Sequence, residues 1–316
     1  MATKKTSFRG LGAKFLDGAE PLIRILIYAS GWSAIIFVAA IFYFIFQEAW
    51  PILPRVNWGD FFFTNDWVPV PAEGNEATYG AKSMMYGTFA VTIFSMIIAV
   101  PLGLGAAIYI SEFATGKVKE TFKILIELLA AIPSIVWGFI GLVVLNPIIQ
   151  SVFGVPVGVN LLNGSIVVAF MAVPLIVSIS EDALRAVPDS YREAALALGA
   201  SKWEIVYRVL FPAAKNGLLA ACMLGVGRAV GETMAVLMAT GNGMVIPENF
   251  ANPAILLDKV RTLTATIVSE LPDSVHGGDH YRMLFVIGIV LLIFSVVINV
   301  TSDIIVKGIK GDQKNA

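Results

Sequence analysis

The sequence predicts an all-α integral membrane protein with six transmembrane helices, and three observations support this fold class. Of the 316 residues, 57% are hydrophobic and 14% are charged, whereas soluble domains are about 45–50% apolar and about 25% charged. The mean hydropathy is +0.79. Six apolar stretches each provide the ~20 helical residues that cross a hydrocarbon core about 30 Å thick.

The first 20 residues are polar, and no small-residue cleavage site follows a short apolar core, so we expect a cytoplasmic tail and not a removable signal peptide. The six helices are predicted at residues 22–47, 84–111, 123–148, 163–184, 216–241 and 282–306. The predicted domains are a tail with the first helix at 1–50, a periplasmic segment at 51–83, a five-helix core at 84–306 and a tail at 307–316.

The basic residues indicate which side of the membrane each loop occupies. The two tails, the 112–122 connection and the loop at 185–213, with the adjoining helix ends, hold 16 of the 22 basic residues. The opposite side holds five, and Arg228 lies inside a predicted helix. Cytoplasmic loops are enriched in Lys and Arg, so both termini and the 185–213 loop are predicted on the cytoplasmic side.

Aromatic residues mark the outer segment at 51–83 and its border. Trp50, Trp58, Trp67 and the run 61–63 are typical of the membrane interface. A platform for an external partner is the alternative interpretation.

The second outer segment, residues 243–281, contains two His and two Asp between Asp273 and His280. The Gly277–Gly278 pair favours a flexible polar loop, so no metal site is predicted there. Cys222 is the single cysteine and lies in an apolar helix, which leaves no disulfide framework and indicates a packing residue.

Three predicted helices contain an interior proline: Pro101, Pro133 and Pro174. Each proline removes a backbone hydrogen bond and tends to kink its helix. Kinked helices suit a protein that changes between two shapes, although static packing of a bundle explains them equally well.

The segment 188–212 is charged, yet it lies between two apolar helices. Ser190 precedes Glu193 by three residues, and Ser201 precedes Glu204 by three, so both pairs are predicted capping boxes that start helices. We therefore expect two short helices on the membrane surface.

Between the two helices, Gly199 is a suitable end for the first, and Pro212 is predicted to stop the second. Ala194, Ala195 and Leu198 are predicted to share a small apolar face that fits a groove on another protein. An ordinary amphipathic connector is the alternative.

These residues resemble the cytoplasmic EAA loop of ABC importer permeases, in which a Glu-Ala-Ala sequence precedes a glycine and a later proline. Here the matching positions are Glu193-Ala194-Ala195, Gly199 and Pro212. The resemblance implies a type I ABC importer permease fold and a coupling helix that docks onto a separate ATPase subunit.

The predicted fifth helix carries Arg228 and Glu232. Arg228 is twelve residues after Asn216, or roughly 18 Å along a helix, where an arginine facing lipid costs about 2.5–3.5 kcal/mol. Glu232 follows four residues later and is predicted on the same helix face. A mutually neutralising ion pair is one interpretation. The other is an anion site on a transport path, because guanidinium groups bind phosphate and carboxylate oxygens in a fork.

Glu127 is a secondary candidate for the path. It lies in the first turns of the predicted third helix, four residues after Lys123. Pairing with Lys123 and the helix dipole is the favoured explanation for this carboxylate.

Three further segments resemble the C-type permease of the bacterial phosphate-specific (Pst) ABC importer. They are GRAVGETMAV at 227–236, IELLAAIPSIVWG at 126–138 and YGT at 86–88, within a similarity that runs from about residue 80 to 306. The arginine and glutamate of that family's fifth helix correspond to Arg228 and Glu232. The related A-type permease shares the Gly-Glu-Thr element and is the closest alternative.

The resemblance implies a channel-forming subunit that imports inorganic phosphate across the bacterial plasma membrane. Its expected partners are a second homologous permease, two ATP-binding subunits, an external phosphate-binding protein and membrane lipids. No cofactor or nucleic acid is expected. No G-x-x-x-x-G-K-[ST] sequence is present, so this chain is not predicted to hydrolyse ATP. A permease for sulfate or molybdate and a membrane component that signals phosphate status are the open alternatives.

Overall fold

A computed structural model describes residues 9–71, 76–249 and 252–313; for residues 9–20 and 305–313 it describes the backbone alone. The chain divides into two compact units, Met1–Pro51 and Ile52–Ala316. The described part of the first unit is dominated by one helix, α1 (Arg9–Ala49). The predicted tail is therefore helical from Arg9 onward, and residues 1–8 lie outside the described residues.

The second unit is mainly helical. Its helices are α2 (Trp58–Phe63), α3 (Lys82–Ile108), α4 (Gly116–Ala131), α5 (Ser134–Ile140), α6 (Asn146–Phe153), α7 (Leu161–Arg185), α8 (Asp189–Ala197), α9 (Lys202–Ile205), α10 (Phe211–Gly231), α11 (Met234–Ala239), α12 (Leu263–Glu270) and α13 (Asp279–Gln313). Turns of 3-10 helix lie at Leu53–Arg55 and Pro253–Leu257, and π-helical turns at Tyr109–Phe113, Gly141–Leu145 and Val206–Leu210. Two short antiparallel strands, β1 (Trp67–Val68) and β2 (Thr78–Tyr79), pair Trp67 with Tyr79.

Among the described residues, six helical segments are long and apolar enough to cross a membrane, as the sequence predicts. These are Pro21–Ala49, Lys82–Phe113, Ser134–Phe153, Leu161–Arg185, Lys202–Gly231 and Asp279–Ile304. The second, fourth and sixth agree closely with the predicted helices. Pro101 lies inside α3 and Pro174 inside α7, and both helices continue through their prolines.

The predicted third helix, 123–148, is wrong because the chain breaks at Pro133. Helix α4 ends at Ala131, and Ile132 adopts an extended conformation with ψ 123°. A proline disfavours helical geometry in the residue before it, which explains the break. The spanning segment therefore starts at Ser134, and α4 is a separate helix before it.

The predicted fifth helix, 216–241, is also wrong at both ends. The spanning segment starts at Lys202, and Pro212 does not stop it. Immediately before the proline, the N–H of Phe211 donates to the carbonyl of Val206, a π-helical bond that spans five residues. This wider turn accommodates a proline ring that would clash in a regular α-helix. The helix ends instead at Gly231.

The core of the second unit lies where α3, α7 and α10 pack together. A methyl group added at Gly103 would lie 2.6 Å from Cγ2 of Ile176, and one added at Gly225 would lie 2.9 Å from Cδ1 of the same side chain. Such small residues allow close approach of helices in a membrane, where no hydrophobic force drives helix association. The side chain of Ile176 is fully buried between its neighbours.

Candidate functional site

Arg228 lies in the last turn of α10, roughly 26 Å along the helix axis from Phe211. Its level in the bundle follows from Gly225, one turn earlier. A methyl group at Gly225 would contact Met96, in the middle of α3, and Ile176, in the middle of α7. Arg228 therefore lies close to the level at which the middles of α3 and α7 pack together.

The guanidinium of Arg228 is exposed on the surface of the isolated subunit. Within the described part of the chain it makes no hydrogen bond or ion pair, so its donors are available to another molecule. Its position at a helix C-terminus provides some compensation, because the macrodipole there favours a cation by about 0.3–1 kcal/mol.

Glu232 is not on the helix face of Arg228, which corrects the prediction. It follows the end of α10 in an extended conformation, with φ −70° and ψ 130°. Its Oε1 accepts hydrogen bonds from the backbone N–H groups of Thr233, at 3.1 Å, and Ala235, at 3.2 Å. Its carbonyl accepts the hydroxyl of Thr264, at 2.9 Å. The carboxylate therefore caps the start of α11 and does not pair with Arg228 in this structure.

The two breaks in the spanning segments are related in space, because α5 follows the break at Pro133 and α11 follows the break at Glu232. These two short helices pack directly together: a methyl group added at Gly138 would lie 3.0 Å from the Cα of Ala235. The short helices α5 and α11, which follow the breaks at Pro133 and Glu232, thus form a packed pair.

The loop at 185–213 contains one of the two predicted capping boxes. The Ser201 hydroxyl accepts the N–H of Glu204 at 3.3 Å, and the Glu204 carboxylate accepts the N–H of Ser201 at 2.9 Å. The box predicted at Ser190 is wrong, because α8 already begins at Asp189, after Pro188. The segment therefore consists of one short helix, α8, followed by the start of the long fifth spanning segment.

Gly199 ends α8 as predicted. Its φ of +81° lies in the left-handed region, which glycine adopts without the steric cost that Cβ imposes. No atom lies within 4 Å of a methyl group added there, so a side chain at this position would point into open space.

The predicted apolar face of α8 is divided. Ala195 is buried, at 9% exposure, whereas Leu198 is 89% exposed. Ala194 is exposed as well. Leu198 and Ala194 border a shallow apolar groove of about 410 Å³ that is completed by Tyr191 and Val209. The groove is open to a partner, while Ala195 fixes the helix to the bundle. Glu193 is exposed beside it.

Arg192, which the sequence analysis did not select, fastens α8 to the bundle. Its guanidinium contacts both carboxylate oxygens of Glu112, at 3.0 and 3.3 Å, and Oδ1 of Asp189, at 3.1 Å. It also donates to the carbonyls of Leu184, at 2.9 Å, and Val187, at 2.8 Å. Hydrogen bonding to Glu112 raises the pKa of Arg192 above its ordinary value, so the group remains charged. The sequence offered one indication that Arg192 matters, which is its position directly before Glu193 in the Glu-Ala-Ala segment.

Glu127 is exposed and does not pair with Lys123, so that prediction is wrong. The Lys123 ammonium lies 3.1 Å from Oε1 of the buried Glu181, and a guanidinium nitrogen of Arg185 lies 2.9 Å from the same oxygen. Burial lowers the pKa of nearby Lys119, and the positive charge of Arg185 lowers it further. This cluster joins α4 to the end of α7.

At the opposite end of the bundle, Trp67 is buried within the protein and so does not present its ring to the membrane interface, whose position the structure does not define. It is 6% exposed, and its indole N–H donates to Glu270 at 2.8 Å. The same carboxylate contacts Arg261 at 2.6 Å and His280 at 2.9 Å. Phe61 is also buried. These residues fix the outer segments to each other, whereas Trp58 stays partly exposed.

Comparison with known families identifies the group to which this fold belongs. Residues 99–311 match the model for binding-protein-dependent transport system inner membrane components. The chain belongs to this family. It is a multi-pass membrane permease subunit of the ABC importer class, and it is a transport component and not an enzyme.

Curated relatives agree with this assignment. The chain is 40% identical to the probable ABC transporter permease protein YqgH of Bacillus subtilis over 75% of this chain and 74% of the relative. It is 32% identical to the phosphate transport system permease protein PstC of Haemophilus influenzae over 86% and 88%. Identity to PstC 1 of Mycobacterium tuberculosis is 35% over 78% and 81%.

Solved structures support the fold alone. A chain from a bacterial ABC transporter involved in the import of the acidic polysaccharide alginate superposes with a TM-score of 0.62 at 12% identity, over 93% of this chain and 97% of the other. A chain from the inward-facing MetNI methionine ABC transporter gives a TM-score of 0.55 at 21% identity, over 71% and 93%. The predicted type I importer permease fold is confirmed.

Proposed function

We propose that this chain is a channel-forming subunit of an ATP-driven importer of inorganic phosphate. The similarity to PstC permeases over more than four-fifths of the chain supports the substrate. The single structural observation that carries the proposal is Arg228, which lies near mid-bundle and whose guanidinium has no ion-pair partner among the described residues. A planar fork of N–H donors matches phosphate oxygens, and such charge-assisted bonds are about twice as strong as neutral ones.

The subunit face that carries Arg228 then lines the phosphate path. A charge exposed to hydrocarbon at this depth costs about 2.5–3.5 kcal/mol, whereas a charge facing a water-filled passage avoids most of this cost. A second, homologous permease completes the passage from the other side. Phosphate that enters this passage meets Arg228 as its anion contact. Glu232 holds the half-helix beyond Arg228 in place and supplies negative charge nearby.

The ATPase-coupling role belongs to α8 and the residues that follow it. The exposed groove beside Leu198 and Ala194 accepts a surface of an ATP-binding subunit. Closure of two such subunits moves α8 and tilts the bundle from an inward-facing to an outward-facing form. An external binding protein delivers phosphate to the opposite end. Membrane lipids cover the remaining apolar surface.

Transport assays with competing anions test the substrate. In proteoliposomes that contain the assembled importer, we expect excess unlabelled phosphate to suppress uptake of radiolabelled phosphate, and equal sulfate or molybdate to leave it unchanged. Suppression by sulfate or molybdate to the same extent would assign a different oxyanion. Mass spectrometry of the complex purified through this chain checks the partners.

The proposed orientation places both termini and Leu198 in the cytoplasm. In a Cys222→Ser background, Leu198→Cys should react with a membrane-impermeant maleimide in inverted vesicles stripped of the ATP-binding subunits, which would otherwise cover this residue, and not in intact cells. Reaction in intact cells would place α8 outside and contradict the coupling role.

A further inference from the structure

Three parts of the chain meet at Arg192. The residue itself belongs to α8, the carboxylate of Glu112 belongs to the π-helical turn that ends the second spanning segment, and the carbonyl of Leu184 belongs to the last turn of α7. Glu112 and Arg192 are 80 residues apart in sequence. Their pairing therefore connects the coupling helix to a separate membrane-spanning helix.

The two carboxylates that contact Arg192 differ in their surroundings. Glu112 is 14% exposed and contacts the guanidinium through both oxygens, and Arg192 itself is 20% exposed. Asp189 is 88% exposed and lies on the same helix as Arg192. An ion pair that is exposed to solvent contributes little to stability because water and salt screen it. A shielded, bidentate pair is stronger and also fixes the relative orientation of its two groups.

Apolar contacts below α8 do not provide the same constraint. Ala195 packs into a cluster with Leu184 and Leu210, against which Leu104 of α3 also packs. Apolar contacts are non-directional and tolerate sliding. The fork between Arg192 and Glu112 fixes both distance and orientation. The same guanidinium also binds a backbone carbonyl at the end of α7, so α7 is held together with α8 and Glu112.

We propose that the Arg192–Glu112 ion pair is the link that transmits movement of α8 to α3, which makes Arg192 and Glu112 positioning residues for transport. This inference rests on the proposed coupling role of α8 and extends it to two specific side chains. An ATPase that displaces α8 pulls α3 through this pair. Because α3 packs on α7 and α10 around Ile176, the displacement reaches the level of Arg228.

Glu112→Gln tests the link, and Asp189→Asn is the matched control because it also removes a carboxylate charge from Arg192. Each variant is assembled with its ATP-binding subunits, partner permease and phosphate-binding protein. For Glu112→Gln we expect unchanged basal ATP hydrolysis and a loss of at least about fivefold in the stimulation by phosphate-loaded binding protein, the lower end of usual coupling between sites. Asp189→Asn should retain the stimulation.

A second readout does not depend on phosphate. Gly227 is exposed, and a methyl group added there meets no atom within 4 Å, so Gly227→Cys in a Cys222→Ser background provides a reporter beside Arg228. We expect ATP with vanadate to change its rate of maleimide labelling in the otherwise unaltered complex and with Asp189→Asn. With Glu112→Gln the nucleotide should have no effect.

The outcomes separate this inference from the proposed function. Wild-type stimulation and wild-type labelling changes in Glu112→Gln, or equal losses in Asp189→Asn, would overturn the link. Lack of phosphate uptake by the unaltered complex, with labelling that depends on nucleotide and on Glu112, would overturn the substrate and retain the link. If Glu112→Gln does not assemble, Arg192→Lys decides, because lysine keeps the charge and loses the fork.

Discussion

Arg192 and Arg228 are two arginines of one membrane subunit with opposite surroundings. Arg192 has all its donor groups engaged by two carboxylates and two carbonyls. Arg228 has no polar partner within the part of the chain that the structure describes, and its side chain is exposed. The first arrangement stabilises a fixed geometry within the chain. The second leaves a charged fork whose partner must come from outside it.

The different surroundings of these two arginines show how the partners of a charged side chain in a membrane protein indicate its role. An arginine with its partners in its own chain contributes to structure or to transmission of movement, because its donors are already used. An unpaired arginine at mid-bundle is costly in lipid and is retained for a ligand, a partner subunit or a passage. Substitutions at both arginine regions and at the neighbouring carboxylates test this contrast.

Arg228→Gln should abolish measurable phosphate uptake, a loss of about 100-fold or more, because the fork makes two hydrogen bonds to the anion and each contributes about 1.5–3 kcal/mol. Assembly with the ATPase should remain intact, since Arg228 has no polar partner among the residues that the structure describes. Initial rates of radiolabelled uptake provide the measurement. Arg228→Lys keeps the charge without the fork and should retain intermediate uptake. Uptake by Arg228→Gln at the level of the unaltered protein would remove this residue from the path.

Gly199→Asp should uncouple ATP hydrolysis from transport, with several-fold more ATP consumed per phosphate. The φ of +81° disfavours any residue with a Cβ, by about 1–2 kcal/mol, and the new charge projects beside the docking groove. Gly199→Asn is the matched control, because it has nearly the same shape and no charge. If both variants couple normally in reconstituted vesicles, the docking role of this loop is wrong.

Substitutions of Glu232 distinguish capping from charge. Glu232→Gln keeps an oxygen that accepts from Thr233 and Ala235, whereas Glu232→Ala removes the cap, which costs about 1 kcal/mol. We expect Glu232→Ala to have about fivefold lower uptake than Glu232→Gln. Equal uptake by the two variants would show that the cap does not contribute, and an equal loss in both relative to the unaltered protein would assign the effect to the negative charge.

The smallest effect is expected for Glu127→Gln, because this side chain is exposed and has no ion-pair partner among the described residues. Its unfolding free energy should change by no more than about 0.5 kcal/mol. Glu181→Gln, by contrast, removes the buried partner of Lys123 and Arg185 and should lower the Tm by several degrees. Thermal unfolding of the purified complex in detergent measures both. A large loss in Glu127→Gln would indicate a partner in another subunit.

Hydropathy and capping rules correctly predicted the features of the fold that neighbouring residues determine. The lengths of the apolar stretches identified the spans around Pro101 and Pro174, and capping rules identified Ser201 and Gly199. These features depend on continuous stretches of sequence, and the caps depend on residues within four positions of each other. The resemblance in residues 227–236 and 193–212 identified the family.

Long-range contacts explain the failures. Lys123 was assigned to Glu127 by helical spacing, yet it pairs with Glu181 on another helix. The apolar pattern continues through the break at Glu232, and the contact of its carbonyl with Thr264 cannot be read from a local window. For the same reason Arg192 was counted as a loop charge, because its main partner is 80 residues away.

The interruption at Glu232 has a mechanical consequence. A continuous rod that tilts at one end must swing at the other, so both mouths of a passage would move together. Because α10 ends at Gly231 and α11 starts at Met234, we expect the residues between them to act as a joint. The half on the ATPase side can lean while the short half beyond stays seated against α5, which allows one mouth to open while the other remains shut.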